Sequence, residues 1–239
     1  MIHEVTETPR QARRQASIER ILDAAEEIVA VEGFDALTMH RLAQALGTTV
    51  GATYRYFASK EALLAGLQER VFSTLAEDLG KALERQAEAR PRKSKRGALE
   101  RVALLALTYA TLHVRRPTDA RLLARWIAHP ENLLEADLGA RNAARALALG
   151  GVALRTFEEA RLAGALDDGD DLERVLVLWA SLSGTAFARK LERWQVPGLE
   201  ASSLSTSLLR SLLRGWGADG GRVDEAIERA SALASGEGA

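Results

Sequence analysis

Apolar positions recur at intervals of three and four along nearly the whole chain. No segment alternates with the period of two that a half-buried strand needs, so the pattern predicts an all-α fold. Ile18, Ile21, Leu22, Ala25, Ile28 and Val29 form one stripe of a first helix that ends near Gly33. Met39, Leu42, Ala43 and Leu46 stand at i, i+3, i+4 and i+7 of a short second helix. Thr38 is its N-cap, and Gly47 supplies the backbone conformation that ends it. A third helix begins at Thr49 and runs into Tyr54, Arg55, Tyr56 and Phe57. Ser59 caps a fourth, which continues through Leu63, Leu64, Leu67, Val71, Leu75, Leu79 and Leu83 for about seven turns until the segment from Pro91 to Gly97 breaks it.

The second half is predicted to be helical throughout. Val102, Leu105, Ala106, Tyr109, Leu112 and His113 keep helical spacing while Leu104 and Leu107 fill the opposite face, so this helix is expected at the centre of a second domain, ended by Pro117. Thr118 is placed to cap a short helix carrying Leu122, Leu123, Trp126 and Ile127, and Pro130 to start another that runs towards Leu166. Gly150 and Gly151 inside that helix each cost about 1 kcal/mol relative to alanine, which points to a helix crossing or a kink there. The acidic string Asp167, Asp168, Asp170, Asp171 around Gly169 suggests a calcium loop but fails on spacing, since position 12 counted from Asp167 is Leu178 where a bidentate glutamate is required. Asp170 instead caps the next helix, with Glu173 at N3. That helix, Leu172 to about Trp194, mixes bulky and small residues, and after Pro197 and Gly198 the residues Leu204, Leu208, Ser211, Leu212 and Gly215 form a second apolar face ending near Trp216. The tail from Ala232 onward is expected to fray.

Two short helices joined by a glycine turn, the second with polar and aromatic tips, spell a helix-turn-helix, which reads DNA by placing the N-terminal end of its second helix in the major groove. Helical hairpins with a central glycine also occur as plain packing units. Gly33-Phe34, Thr38, Leu42-Ala43, Gly47, Gly51, Tyr54-Arg55-Tyr56-Phe57 and Ser59-Lys60-Glu61-Ala62-Leu63 closely resemble, without a gap, the N-terminal domain of the TetR family of bacterial transcriptional repressors. The resemblance extends over roughly residues 17 to 64. Thr48, Ala52 and Thr53 depart from it, standing where valine, threonine and leucine are common, so looser packing is expected at the turn.

The resemblance implies a DNA-binding domain over residues 1–62 and an effector-binding and dimerisation domain over 63–239. Carried over position by position, it implies that Thr38, Thr49, Tyr54, Tyr56 and Lys60 hold phosphates, that His40, Val50 and Gly51 face base edges, and that Phe34 and Phe57 are core. It further implies a homodimeric repressor on a palindromic operator, an inverted repeat in double-stranded DNA, released by a small hydrophobic effector. The two C-terminal helices would form the dimer, with Trp179 and Leu208 as interface candidates, although an intramolecular hairpin has the same pattern. Tyr109, His113, Trp126, His129, Phe157 and Trp179 offer the mixture of apolar walls and orienting polar groups that an effector site needs, a mixture an ordinary core also shows.

Composition narrows the alternatives. With 32 basic and 33 acidic side chains the net charge is −1, so any affinity for nucleic acid must come from a local patch. Arg10, Arg13, Arg14 and Arg20, which precede or open the first helix, offer one beside the helix-turn-helix, although a solvated tail has the same pattern, whereas the basic run from Arg92 to Arg96 reads as a solvated connector. The absence of cysteine excludes disulfides, a thiol nucleophile and cysteine-ligated zinc. The four histidines include no pair one helical turn apart, and neither a Gly-x-Ser-x-Gly elbow nor a phosphate loop with its lysine occurs. No enzyme, metal or cofactor is therefore expected, the competing readings being a helical small-molecule-binding protein without an operator and an enzyme on a helical scaffold. The opening residues lack the form of a signal peptide and no apolar run is long enough to span a bilayer, so a cytoplasmic protein without a membrane partner is expected.

Overall fold

The computed structural model describes residues 8–89, 94–128, 136–192 and 200–235. They form α1 (Pro9–Val31), α2 (Met39–Ala45), α3 (Val50–Tyr54), α4 (Lys60–Ala89), α5 (Lys95–Ala110), α6 (Leu112–Arg115), α7 (Pro117–Ala128), α8 (Ala136–Leu162), α9 (Asp171–Glu192), α10 (Ala201–Gly215) and α11 (Gly220–Ser235). Among the described residues there is no strand, and the fold is all-α as the apolar spacing indicates. The chain divides into two compact units, Met1–Arg70 with Arg121–Asn142, and Val71–Ala120 with Ala143–Ala239.

The first unit is organised by α1. Thr8 opens it with a capping box, its side chain accepting from the Gln11 amide while Gln11 Oε1 accepts from the Thr8 amide at 2.9 Å. Ile21, Leu22, Ala25, Ile28 and Val29 are buried, as are Leu42 and Ala43 of α2 and Leu63, Leu64 and Leu67 of α4. The start of α4 comes so close to α1 that a Cβ on Gly66 would stand 2.9 Å from Phe57 Cε1 and 3.3 Å from Leu22 Cδ2. Only glycine fits that approach. Arg70 fastens the same two helices by charge, donating to Asp23 Oδ1 at 2.6 Å and to the Glu26 carboxylate.

In the second unit α5 is the centre. Gly97, Ala98, Leu99, Val102, Ala103, Leu104, Ala106, Leu107 and Ala110 are all buried, and α9, α10 and α11 pack against it. The sequence expectation of a central helix, apolar nearly all round, holds, with Glu100, Arg101 and Thr108 as its buried polar exceptions, but the helix ends at Ala110 rather than at Pro117. Thr111 closes it and α6 follows; Pro117 then begins α7, where its fixed φ and missing N–H suit the first helical position. Thr118 consequently lies inside α7 instead of capping it. Residues 220–235 contradict the expected fraying of the tail as far as Ser235, because Val223, Ala226, Ile227 and Ala230 bury one face of α11 on α5. The expected start of a helix at Pro130, the breaks at Pro91 and at Pro197-Gly198, and the last four residues of the tail lie outside the described residues.

Two loop regions tie this unit together. At the junction of α8 and α9, Asp170 Oδ1 accepts from the amides of Leu172 and Glu173 at 2.8 and 3.2 Å. Asp171 takes Arg161 Nε at 2.9 Å and Arg174 Nη1 at 3.2 Å, and Arg174 Nη2 donates to the Asp167 carbonyl at 2.7 Å. The acidic string is thus a capping and ion-pairing element. The Asp167 amide in turn donates to the Trp216 carbonyl at 2.9 Å, which pins this junction to the link between α10 and α11. Gly150 and Gly151 make no helix crossing among the described residues: nothing lies within 4 Å of a Cβ built at Gly150, and at Gly151 only Arg155 of the same helix does.

Candidate nucleic-acid interface

The helix-turn-helix is built by three caps and one glycine. Thr38 Oγ1 accepts from the Arg41 amide at 3.0 Å and starts α2, Gly47 turns the chain at φ 62°, and Thr49 Oγ1 accepts from the Ala52 amide at 3.3 Å to start α3. Ser59 Oγ accepts from the Ala62 amide at 3.1 Å and starts α4. Each hydroxyl uses an acceptor lone pair for its cap and keeps its O–H, so Thr38 and Thr49, both exposed, can still donate to an anionic oxygen. Thr53 is buried to 1%, and its hydroxyl donates to the Val50 carbonyl at 2.7 Å. A polar residue is therefore accommodated where leucine is common, with no orphaned group.

The residues carried over from the resemblance gather on this element. His40, Thr49, Gly51 and Tyr54 are exposed, and Val50, Tyr56 and Lys60 are half-buried. Nothing among the described residues comes within 4 Å of a Cβ built at Gly51, so packing within them gives no reason for glycine there. Lys60 Nζ donates to the Phe34 carbonyl at 3.2 Å, which commits one of its three protons and fixes the ammonium at the start of α4. Phe34 is half-buried and its ring lies 5.3 Å from the Arg125 guanidinium, whereas Phe57 is core. Arg41 of α2 forms a bidentate pair with Glu32 at the end of α1, 2.6 and 3.1 Å, and this hydrogen bonding holds the Glu32 carboxyl below its ordinary range. Sequence reasoning missed both this pair and the Arg70 clamp. The acidic half of the clamp is legible, because Glu19, Asp23 and Glu26 share one face of α1, but the spacing does not name Arg70 as what covers it.

The expected effector residues do not share one environment. Phe157 is fully buried, edge-on to Trp216 with ring centroids 5.5 Å apart. Tyr109 bonds the Ser183 hydroxyl at 2.9 Å, and burial raises its phenol above the ordinary value. His113 lies half-buried on α6, and Trp179 on α9 is 39% exposed. Trp126 is on α7, and His129 lies outside the described residues. Exposed apolar side chains collect on α9 instead, where Leu172, Leu176, Val177 and Trp179 stand beside Ala180 and Gly184. No described helix is long and apolar enough to cross a membrane.

Residues 21–67 match the family of bacterial regulatory proteins named for tetR. No curated protein matches the chain. Among solved structures, a protein of unknown function from Rhodococcus sp. RHA1 is 24% identical, with 83% of this chain and 94% of that one covered at a TM-score of 0.66. A transcriptional regulator of the TetR/AcrR family from Thermobifida fusca YX-ER1 is 22% identical over 84% of this chain and 98% of that one, TM-score 0.62. The transcriptional regulator FadR from Bacillus subtilis, crystallised with stearoyl-CoA, is 21% identical over 82% and 98%, TM-score 0.57. These likenesses establish a shared fold across both units.

Proposed function

The chain carries the N-terminal domain of the tetR family of bacterial regulatory proteins, and on that premise we propose that it is a homodimeric, cytoplasmic transcriptional repressor that binds a palindromic operator and is released by a small hydrophobic effector. The observation that carries the reading is the capped helix-turn-helix, whose α3 offers Thr49, Val50 and Gly51 at its N-terminal end with no described residue within 4 Å of a Cβ built at Gly51. Thr38, Thr49, Tyr54, Tyr56 and Lys60 hold phosphates, while His40, Val50 and Gly51 read base edges, Val50 against a thymine methyl. A gel-shift with the gene's own upstream region tests it: a discrete complex that random duplex does not compete away is expected, and none at any salt concentration would refute it.

Phosphate holding and base reading separate in the variants. Lys60→Ala weakens binding to every sequence and flattens the salt slope by about 1 for each bound subunit, whereas His40→Ala changes the ranking among operator variants. Equal scaling of affinity across sequences by both would refute this division of roles.

The dimer rests on the apolar side chains that α9 leaves exposed, with Trp179 and Leu208 at the interface. Two readers about 34 Å apart select an inverted repeat. Trp179→Glu combined with Leu208→Glu is expected to yield a monomer in sedimentation that keeps its helical circular dichroism and loses operator binding. A wild type that sediments as a monomer while binding specifically overturns the dimer. For the effector, the relative crystallised with stearoyl-CoA supports an apolar ligand. Tyr109, His113, Trp126, His129, Phe157 and Trp179 remain the proposed contacts, and residues 63–239 the proposed effector and dimerisation domain. Effector and operator then oppose each other through their different affinities for two states of the protein.

A further inference from the structure

We propose that the N-terminal half of α1 and Arg55 form a phosphate track that follows the DNA backbone outward from the helix-turn-helix, a proposal that rests on the DNA-binding reading above. Its basis is a division of charge around one helix. At 100° per residue, Arg10, Arg13, Arg14, Ser17 and Arg20 fall within an arc of about 120°, and Glu19, Asp23 and Glu26 within about 60° on the opposite side. No acidic residue occurs from Pro9 to Ile18.

The two faces have different occupants. The acidic face is engaged from within the unit, since Arg70 of α4 reaches Glu19, Asp23 and Glu26. Arg41, the arginine of α2, is paired with Glu32. The guanidinium groups of Arg10, Arg13, Arg14, Arg20 and Arg55, all exposed, make no hydrogen bond or ion pair among the described residues. Five cations left without a partner in a unit whose Arg41 and Arg70 are both ion-paired are a surface for a polyanion.

Geometry directs that surface at the reader. Ser17 and Arg20 of α1 line a cleft whose other wall is Thr48, Ala52, Arg55 and Tyr56, so the basic face of α1 opens beside α3 and beside a proposed phosphate-holding tyrosine. Because α1 is helical from Pro9 and capped by Thr8, Arg10 to Arg20 form a rigid row about 15 Å long, the axial spacing of about four phosphates of one strand. Such a row adds affinity and salt dependence without sequence preference.

The test uses the full chain and a random-sequence duplex alongside the upstream region. Arg10, Arg13 and Arg14 changed together to Ala should lower the slope of log K against log salt by about 2.7 for each DNA-bound subunit on both duplexes, and should leave their affinity ratio unchanged. Arg20→Ala with Arg55→Ala should lower it by about 1.8 for each bound subunit. Thermal midpoint and helical circular dichroism should stay at wild-type values, because these side chains hold nothing inside the unit. Changing the same three arginines to Lys should restore the slope, and Arg222→Ala on α11, an exposed arginine of the second unit, should leave it at the wild-type value. An unchanged slope in the triple alanine variant, with wild-type binding intact, overturns the track alone. A wild type that binds neither duplex at any salt concentration overturns both the track and the DNA-binding reading.

Discussion

Phe157→Ala lowers the free energy of unfolding by about 3–5 kcal/mol. The ring is 0% exposed and sits within the cluster built by α5, α8, α9, α10 and α11, at 84° to Trp216. Truncation forfeits the transfer of the ring from water and leaves a cavity that a close-packed surround cannot collapse into. The edge-to-face pair adds about 0.5–1.5 kcal/mol beyond burial. Urea denaturation followed by circular dichroism measures the loss as a lower midpoint at unchanged slope. A cost of about 1 kcal/mol, the level of an average substitution, would mean that the ring borders a ligand cavity already open to solvent. The same measurement therefore separates the core role of Phe157 from its proposed effector role.

Gly217→Ala is expected to cost several kcal/mol, from two causes that can be told apart. The residue sits at φ 87°, where a side chain costs about 1–2 kcal/mol. A Cβ there would also stand 2.1 Å from Asp167 Cγ and Oδ2, closer than any real contact, so Asp167 must move. That movement strains the link in which the Asp167 amide donates to Trp216. In a double-mutant cycle, Asp167→Ala should return the part of the loss due to the clash and leave the part due to the backbone. Additive losses in the double variant would show that the loop relaxes around the new methyl, and that only the φ cost is real.

The reader was legible because its signals are local. Thr38, Gly47, Thr49 and Ser59 act on backbone groups within three or four residues, so their roles follow from their order in the chain. The stripe of α1 and the continuity of α4 follow from spacing alone. Boundaries set by competition between neighbours were less legible. Both Ala110 and Pro117 lie where a helix can stop, and α5 stops at the first. The expected helices end near Trp216, although Val223, Ala226, Ile227 and Ala230 of α11 stand at i, i+3, i+4 and i+7 and carry the same signal.

Long-range partners were beyond reach of the sequence. That Arg70 clamps three carboxylates of α1, that Lys60 meets the carbonyl of Phe34, and that Gly66 lets α4 close on Leu22 and Phe57 depend on which faces meet, and helical periodicity specifies a face without specifying what covers it. The sequence by itself determined an all-α chain with a capped helix-turn-helix near its start, since caps, turns and apolar stripes are short-range consequences of residue type. Only the tertiary structure decided which arginines are neutralised and which stay free, and which aromatic rings are core and which are exposed. Both outcomes depend on packing between residues distant in the chain, where burial and pairing are properties of the assembled faces.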